Sequence, residues 1–451
     1  MRRWIRNATA IWTGTGERFA GIVTEGPTIV ELLSAGAEPS KPVTQTVDAS
    51  DCVVLPGLVN CHHHFYQTLT RAVPTALNKP LFPWLQALYP VWSGLTATSI
   101  EVSTRLALAE LMLSGCSLSS DHHYVFTDAL SDAIDIQASI ARDIGVRVAL
   151  TRGSMSLSED EGGLPPATVV QNEATILAES ERLLNAWHDP ANDALCRIAL
   201  APCSPFSVTA GIMRDSAELA RRFQARLHTH LAETEDENAF CAQHYGQRPL
   251  DLLADLGWLA DDVWLAHGIH FDMAEVHALG AAGVAISHCP SSNMVLASGT
   301  CPVVDLETAG CAVGLGVDGS ASNDASNLMQ EVRQAFLLQR SRYGAGVVSH
   351  DDALRWATRG GAATLGWSKL GVLEVGALAD LSIWDLNELR FSGVGDPVAA
   401  LVLSGAHRVR DLLVHGEWRV WSGAIPDLDL ERLTAQHQAE AYRLRSAQLA
   451  G

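Results

Sequence analysis

Short apolar runs alternate with longer helical patterns from residue 56 to 365, and this alternation limits the possible folds more than any other feature of the chain. The strand-like runs fall at 146–151, 197–201, 225–230, 263–267, 284–288 and 312–318, with helical patterns at 99–113, 171–187 and 325–340. Repetition of this kind gives parallel βα units, which close into an eight-stranded barrel. A doubly wound open sheet competes, but no dinucleotide-type glycine fingerprint opens any helix. Outside the barrel, β-like runs at 20–24 and 29–33 are matched by 379–384 and 411–416 near the other end. Neither flank can build a core alone, so the two are expected to pair. The predicted fold is α/β: a (β/α)8 TIM-like barrel over 56–365, with a small β-sandwich contributed by 1–55 and 366–425. A surface helix is expected within 426–451, covering 430–450.

Composition removes several classes. With 47% apolar and 18% charged residues the 451-residue chain is an ordinary globular protein. Its formal charge of −20 argues against a nucleic-acid partner, because phosphates select Lys and Arg clusters. No apolar run reaches the roughly 18–20 residues that span a bilayer, and no apolar core follows the basic start, so neither a membrane span nor a signal peptide is read. The nine cysteines are scattered with no CxxC pair, which predicts reduced thiols and a cytoplasmic location. Cys61, Cys203 and Cys289 read as small buried hydrophobes.

The chemistry collects at strand ends. Residues 56–64 read Pro-Gly-Leu-Val-Asn-Cys-His-His-His, and in an extended segment residues two apart point the same way. His62 and His64 can therefore aim at one point while His63 faces away. Two imidazoles so placed suit a borderline-soft divalent ion, although core histidines explain an isolated triplet equally well. Recurrence weighs against the core explanation. Later strands end in His228-Thr229-His230 followed by Glu233, in His267, in His288 and in Asp318. Barrel active sites are built at the C-terminal ends of the strands, where these residues would converge. Cationic metal, neutral imidazoles and one carboxylate would leave an open coordination position. Such an ion lowers the pKa of a water toward about 7.

These motifs resemble the amidohydrolase superfamily, specifically its mononuclear cytosine/guanine deaminase and triazine hydrolase branch. The shared pattern runs through the HxH after Pro-Gly, the HxHxxE segment, the Ala-His-Gly, Ser-His-Cys-Pro and Val-Asp-Gly segments, and 371–381. The resemblance implies a hydrolase acting on C–N bonds of cyclic amidines, with His62, His64, His230 and Asp318 as metal ligands. It implies Glu233 as proton shuttle and His267 beside the reacting groups, with Asp318 also able to take a proton. Binuclear relatives need a lysine at the fourth strand end. Residues 201–207 contain none, so one Zn2+ is expected, with Fe2+ also suited to this donor set.

Substrate reading is less determined by the residues. Gln67 offers a donor and an acceptor that match a lactam edge, or it caps the following loop. The aromatic segment 81–92 is read as a loop able to form a wall or lid over a planar ring. His123, Tyr124 and Arg152, at the ends of the second and third strands, are further candidate substrate contacts. Within the family, 62–71, 81–92 and 317–327 resemble members acting on purines. That implies attack of an activated water at C2 of 8-oxoguanine, giving urate and ammonia. Guanine, isocytosine, s-triazine and lactam rings remain alternatives, as does a non-catalytic member, which would lack ligands that this chain keeps. A nucleobase-like small molecule is the expected partner, and self-association is expected as well.

Overall fold

A computed structural model describes residues 1–127 and 130–449, with side chains to residue 446. Eight parallel strands close into a barrel: Leu58–Asn60, Cys116–His123, Arg147–Ser154, Cys196–Pro202, Leu227–Leu231, Val263–His267, Ala285–His288 and Val313–Leu315. Every neighbouring pair is parallel, including the closing contact of Leu315 with Asn60. The chain is thus a (β/α)8 barrel, carrying two further β-sheets. One sheet orders Thr28–Leu33, Gly21–Glu25, Arg2–Arg6 and Gln45–Asp48. The other orders Glu417–Val420, Asp411–Val414, Leu381–Asp385, Cys52–Pro56 and Ala10–Ile11. Both chain ends build this second sheet, and Ile5, Ile22, Val47, Val54, Leu381 and Leu413 share one apolar core.

The barrel joins the sheets at its N-terminal end. Strand Cys52–Pro56 turns at Gly57 into the first barrel strand, where Gly57 N–H donates to the Asp380 carbonyl. A buried ion pair reinforces that joint: Arg147 on the third strand places Nε 2.8 Å from Asp380 Oδ2. The remaining Arg147 protons go to the Asp193 and Ala194 carbonyls and toward His415 Nδ1. Removing two charges from water is costly unless each polar atom finds a partner. Here each does.

Three boundaries differ from the sequence expectation. Segment 81–92 is a helix, Leu81–Trp92, and not a loop. Its buried residues Leu81, Trp84, Leu85, Leu88, Tyr89 and Trp92 follow a helical period, and Pro83 sits in the first turn, where a missing N–H costs nothing. The helix expected from residue 325 begins only at Leu328, because Asn327 caps it by accepting the Gln330 N–H. The last strand stops at Leu315, so Asp318 stands beyond it in an irregular segment. The terminal helix runs Leu430–Leu449, and the expectation for Ala450 and Gly451 lies outside the described residues. Among the described residues no helix is long and apolar enough to cross a membrane.

Candidate active site

The strand ends bring His62, His64, His230, His267 and Asp318 into one buried group. His62 Nε2 lies 3.3 Å from Asp318 Oδ1, and His64 Nε2 lies 3.4 Å from the same oxygen. His230 Nε2 and His64 Nε2 are 3.3 Å apart. Asp318 reaches this point with φ +63°, a left-handed conformation stabilised by its own N–H donating to the His62 carbonyl. Gly316 lets the last strand approach, since a methyl there would collide with His62 Cβ at 2.7 Å.

Hydrogen bonds set the tautomers. His64 Nδ1 faces the His122 carbonyl at 2.6 Å and His230 Nδ1 faces the Cys203 carbonyl at 2.7 Å, so both Nδ1 atoms carry the proton. Their Nε2 lone pairs then confront each other. For His62 the assignment passes through a second imidazole. His228 Nδ1 donates to the Trp264 carbonyl at 2.8 Å, leaving its Nε2 to accept from His62 Nδ1, also at 2.8 Å. The Nε2 of His62 is buried without a hydrogen-bond partner. Burial holds all three imidazoles below their ordinary pKa, hence neutral. Asp318 is pushed up by burial, but the surrounding imidazoles outweigh this and hold it well below the carboxylate range. Three lone pairs and a carboxylate converging without a shared proton fit a bound cation.

Two other groupings satisfy distance alone: His62, His122 and His230, and His62, His267 and Asp318, each with ligand atoms within 4.8 Å. The hydrogen bonds separate them from the first set. His122 spends Nε2–H on the Ala201 carbonyl and stacks on His230. His267 Nδ1 donates to Asn293 Oδ1 at 2.9 Å, and its Nε2 lies 3.4 Å from Glu233 Oε2. Burial lowers the His267 pKa, but the Glu233 and Asp318 charges overcome it and raise the ring above its usual value. It suits a proton-bearing role beside the carboxylates.

Glu233 follows the fifth strand and is buried, which pushes its pKa up to about 7. Its position is held by Glu237, whose carboxylate accepts the Ala232 and Glu233 N–H groups at 3.0 and 3.2 Å. A carboxyl poised near neutrality can accept and return a proton under ordinary conditions.

One cavity of about 390 Å³ opens on this group. Helix Leu81–Trp92 supplies Leu81, Trp84, Leu85 and Tyr89 as one wall, and Phe206 and Leu296 also line the cavity. Gln67 and Tyr124 also line it, whereas His123 and Arg152 do not. Arg152 lies over the Phe126 ring at 3.7 Å and bonds Gln171, and His123 packs edge-on against Tyr66 and Phe126. Gln67 Oε1 is buried without a partner, so its acceptor is free for a ligand. Gly319 leaves room for that amide; any side chain there would overlap Gln67. Cys203 also lines the cavity, but burial pushes its thiol up to about 12, so it stays protonated. The sequence reading placed a wall at 81–92 but missed its helical form, and it missed the supporting roles of His228, Asn293 and Glu237. The apolar period of 81–92 signalled the helix, and the HxHxxE segment already contained His228.

A barrel with a buried His/Asp group suited to a metal ion, a carboxyl near neutrality and a cavity opening on both defines a hydrolase class that activates water. The chain belongs to the amidohydrolase family, whose model matches residues 53–419. It is 57% identical, over 98% of this chain and 99% of the relative, to 8-oxoguanine deaminase of Pseudomonas aeruginosa. It is 34% identical to hydroxydechloroatrazine ethylaminohydrolase of Pseudomonas sp. strain ADP, covering 91% of this chain and 87% of that one. The crystal structure of atrazine chlorohydrolase TrzN from Arthrobacter aurescens TC1 complexed with zinc superposes with a TM-score of 0.92, at 31% identity, over 97% of this chain and all of that one.

Proposed function

We propose that the chain hydrolyses 8-oxoguanine to urate and ammonia by attack of water at C2. The observation that carries this reading is the 57% identity, across 98% of the chain, with a protein of that activity. The cavity supports it. Trp84, Tyr89 and Phe206 offer aromatic faces for a planar ring, and the free Gln67 acceptor with its amide donor matches a lactam N–H and C=O.

One Zn2+, with Fe2+ as the other candidate, would be held by His62, His64, His230 and Asp318. When bound, such an ion makes water acidic enough to act as a nucleophile near pH 7 and polarises the bond it attacks. The protein's own groups handle the protons. Ionised Glu233 accepts one proton from the attacking water and returns it to a ring nitrogen. His267, protonated between Glu233 and Asp318, offers Nε2–H to charge developing at C2. Asp318 can take the second water proton from the new C2–OH and pass it to the amine. The C2–N bond then breaks, ammonia leaves, and C2 keeps the oxygen as a carbonyl. The nine free cysteines fit a reducing, cytoplasmic setting.

A deamination panel tests this. Purified protein should convert 8-oxoguanine to urate with one ammonia released per ring, and isocytosine or guanine more slowly. Turnover of s-triazines without 8-oxoguanine would place the chain with the triazine hydrolases. Loss of ring absorbance without ammonia would point to a lactam hydrolase.

A further inference from the structure

The N-terminal end of the barrel, away from the site just described, carries a second cavity of about 730 Å³. Its walls combine apolar Ile198, Leu365, Trp367 and Pro190 with polar His188, Asn192 and Gln224, and two arginines face it: Arg197 from the fourth strand and Arg226 just before the fifth. A methyl built on Gly366 would lie 3.4 Å from Arg197 Nη1 and 3.5 Å from Arg226 Nη1, so both guanidinium groups flank one point. Arg197 is anchored there: it lies over the Trp367 ring at 3.8 Å and donates to the Gly366 and Ala191 carbonyls. Its Nε has no partner.

Arg226 is the unusual member. Among the described residues its side chain makes no hydrogen bond and no ion pair, and its Nε is buried without a partner. The nearby carboxylates do not neutralise it. Asp262 is paired with Arg221 at 2.7 Å and acts on Arg226 only through its charge, as Asp261 does, while Asp189 acts in the same way on Arg197. Although the chain has 51 acidic and 31 basic residues, these two arginines share a concavity whose lining contains no carboxylate. Burial pulls both guanidinium groups below their ordinary pKa, Arg197 to about 10 with Arg226 adding to the effect. Arg147, on the neighbouring strand, shows the contrast: it is buried against its own Asp380.

We propose that this cavity binds a small organic oxyanion, a carboxylate or phosphate carried on an apolar body. The two guanidinium groups supply charge-assisted donors for the head. The apolar walls cover the body. Occupancy would neutralise a repulsive pair at the seam between the fourth and fifth strands and the turn at Gly366, and so stabilise the folded chain by linkage.

The full-length, metal-loaded protein tests this with benzoate and phenyl phosphate as probes, against inorganic phosphate and sodium chloride at matched ionic strength. At least one organic anion should bind by titration calorimetry and raise Tm with saturation, about tenfold more tightly than inorganic phosphate. Benzoate acting alone would assign a carboxylate head, and phenyl phosphate acting alone a phosphate head. R226Q breaks no bond of the fold, so in chloride it should melt at or above the wild-type Tm while its anion affinity falls at least about tenfold. The proposal is overturned if neither organic anion binds, if R226Q binds them as wild type does, or if R226Q melts well below wild type in chloride. The last result would make Arg226 a structural prop.

Discussion

The two ends of the barrel treat buried polar groups in opposite ways. At the N-terminal end, Arg147 and Asp380 pair every polar atom with each other, with neighbouring carbonyls and with His415, a sealed joint between barrel and sheet. At the C-terminal end, His62 Nε2 and Gln67 Oε1 are left without protein partners, and the imidazole lone pairs of His64 and His230 face each other. That joint is satisfied from within. The rim is built to be completed from outside, and that incompleteness marks where binding and chemistry belong. Arg226 matters because it breaks the pattern at the floor.

The strongest way to break this contrast is at the rim. D318A and H230A should lose bound metal and turnover together. E233Q should keep its metal and lose turnover by about 10²–10⁴-fold, the range expected for a proton-transfer group. At the floor the loss should appear as stability. R147A should destabilise by about 3–5 kcal/mol in denaturant unfolding, because it strands Asp380, while kcat per folded molecule stays unchanged. The double variant R147M/D380L should recover most of that loss.

His228 gives a finer test. It touches the metal group only through His62, whose tautomer it sets. H228F should weaken metal affinity by about 10–100-fold in chelator competition, with less effect on KM for substrate. Acidity gives the next effect. Glu233 must be ionised to accept a proton, and its pKa is near 7, so kcat/KM should fall about tenfold per unit as pH drops below 7. The same raised pKa disfavours the fold of the metal-free chain as pH rises from the ordinary carboxylate range through 7. E233Q should therefore stabilise the metal-free protein at pH 8, by on the order of 1–3 kcal/mol, and not at pH 4. The smallest effect should come from H123F, since His123 lies outside the cavity among aromatic rings and its loss should leave kcat/KM almost unchanged.

What the sequence disclosed follows the same division. The barrel was legible because strand and helix periods alternate over some three hundred residues, and the rim because His62, His64, His230 and Asp318 recur at strand ends. The substrate wall was misread as a loop: Pro83 and Pro90 look like breakers, yet both sit inside Leu81–Trp92, which burial of Trp84, Tyr89 and Trp92 holds helical. Contacts through space left no local trace. Asn293 behind His267, Glu237 behind Glu233 and the Arg147–Asp380 pair, 233 residues apart, depend on closure of the barrel. His123 and Arg152 end strands as the convergent residues do, but their side chains pack among aromatic rings and not in the cavity.

The central claim is that one ion at the rim and Glu233 beside it act together on an aminopurine ring. Metal stoichiometry and urate formation from 8-oxoguanine, measured on the same samples of wild type, E233Q and metal-stripped wild type, test it most directly. The account predicts about one ion per chain in wild type and E233Q, urate only from metal-loaded wild type, and recovery when metal is returned to the stripped protein. Full turnover by the stripped protein, or by E233Q, would contradict it.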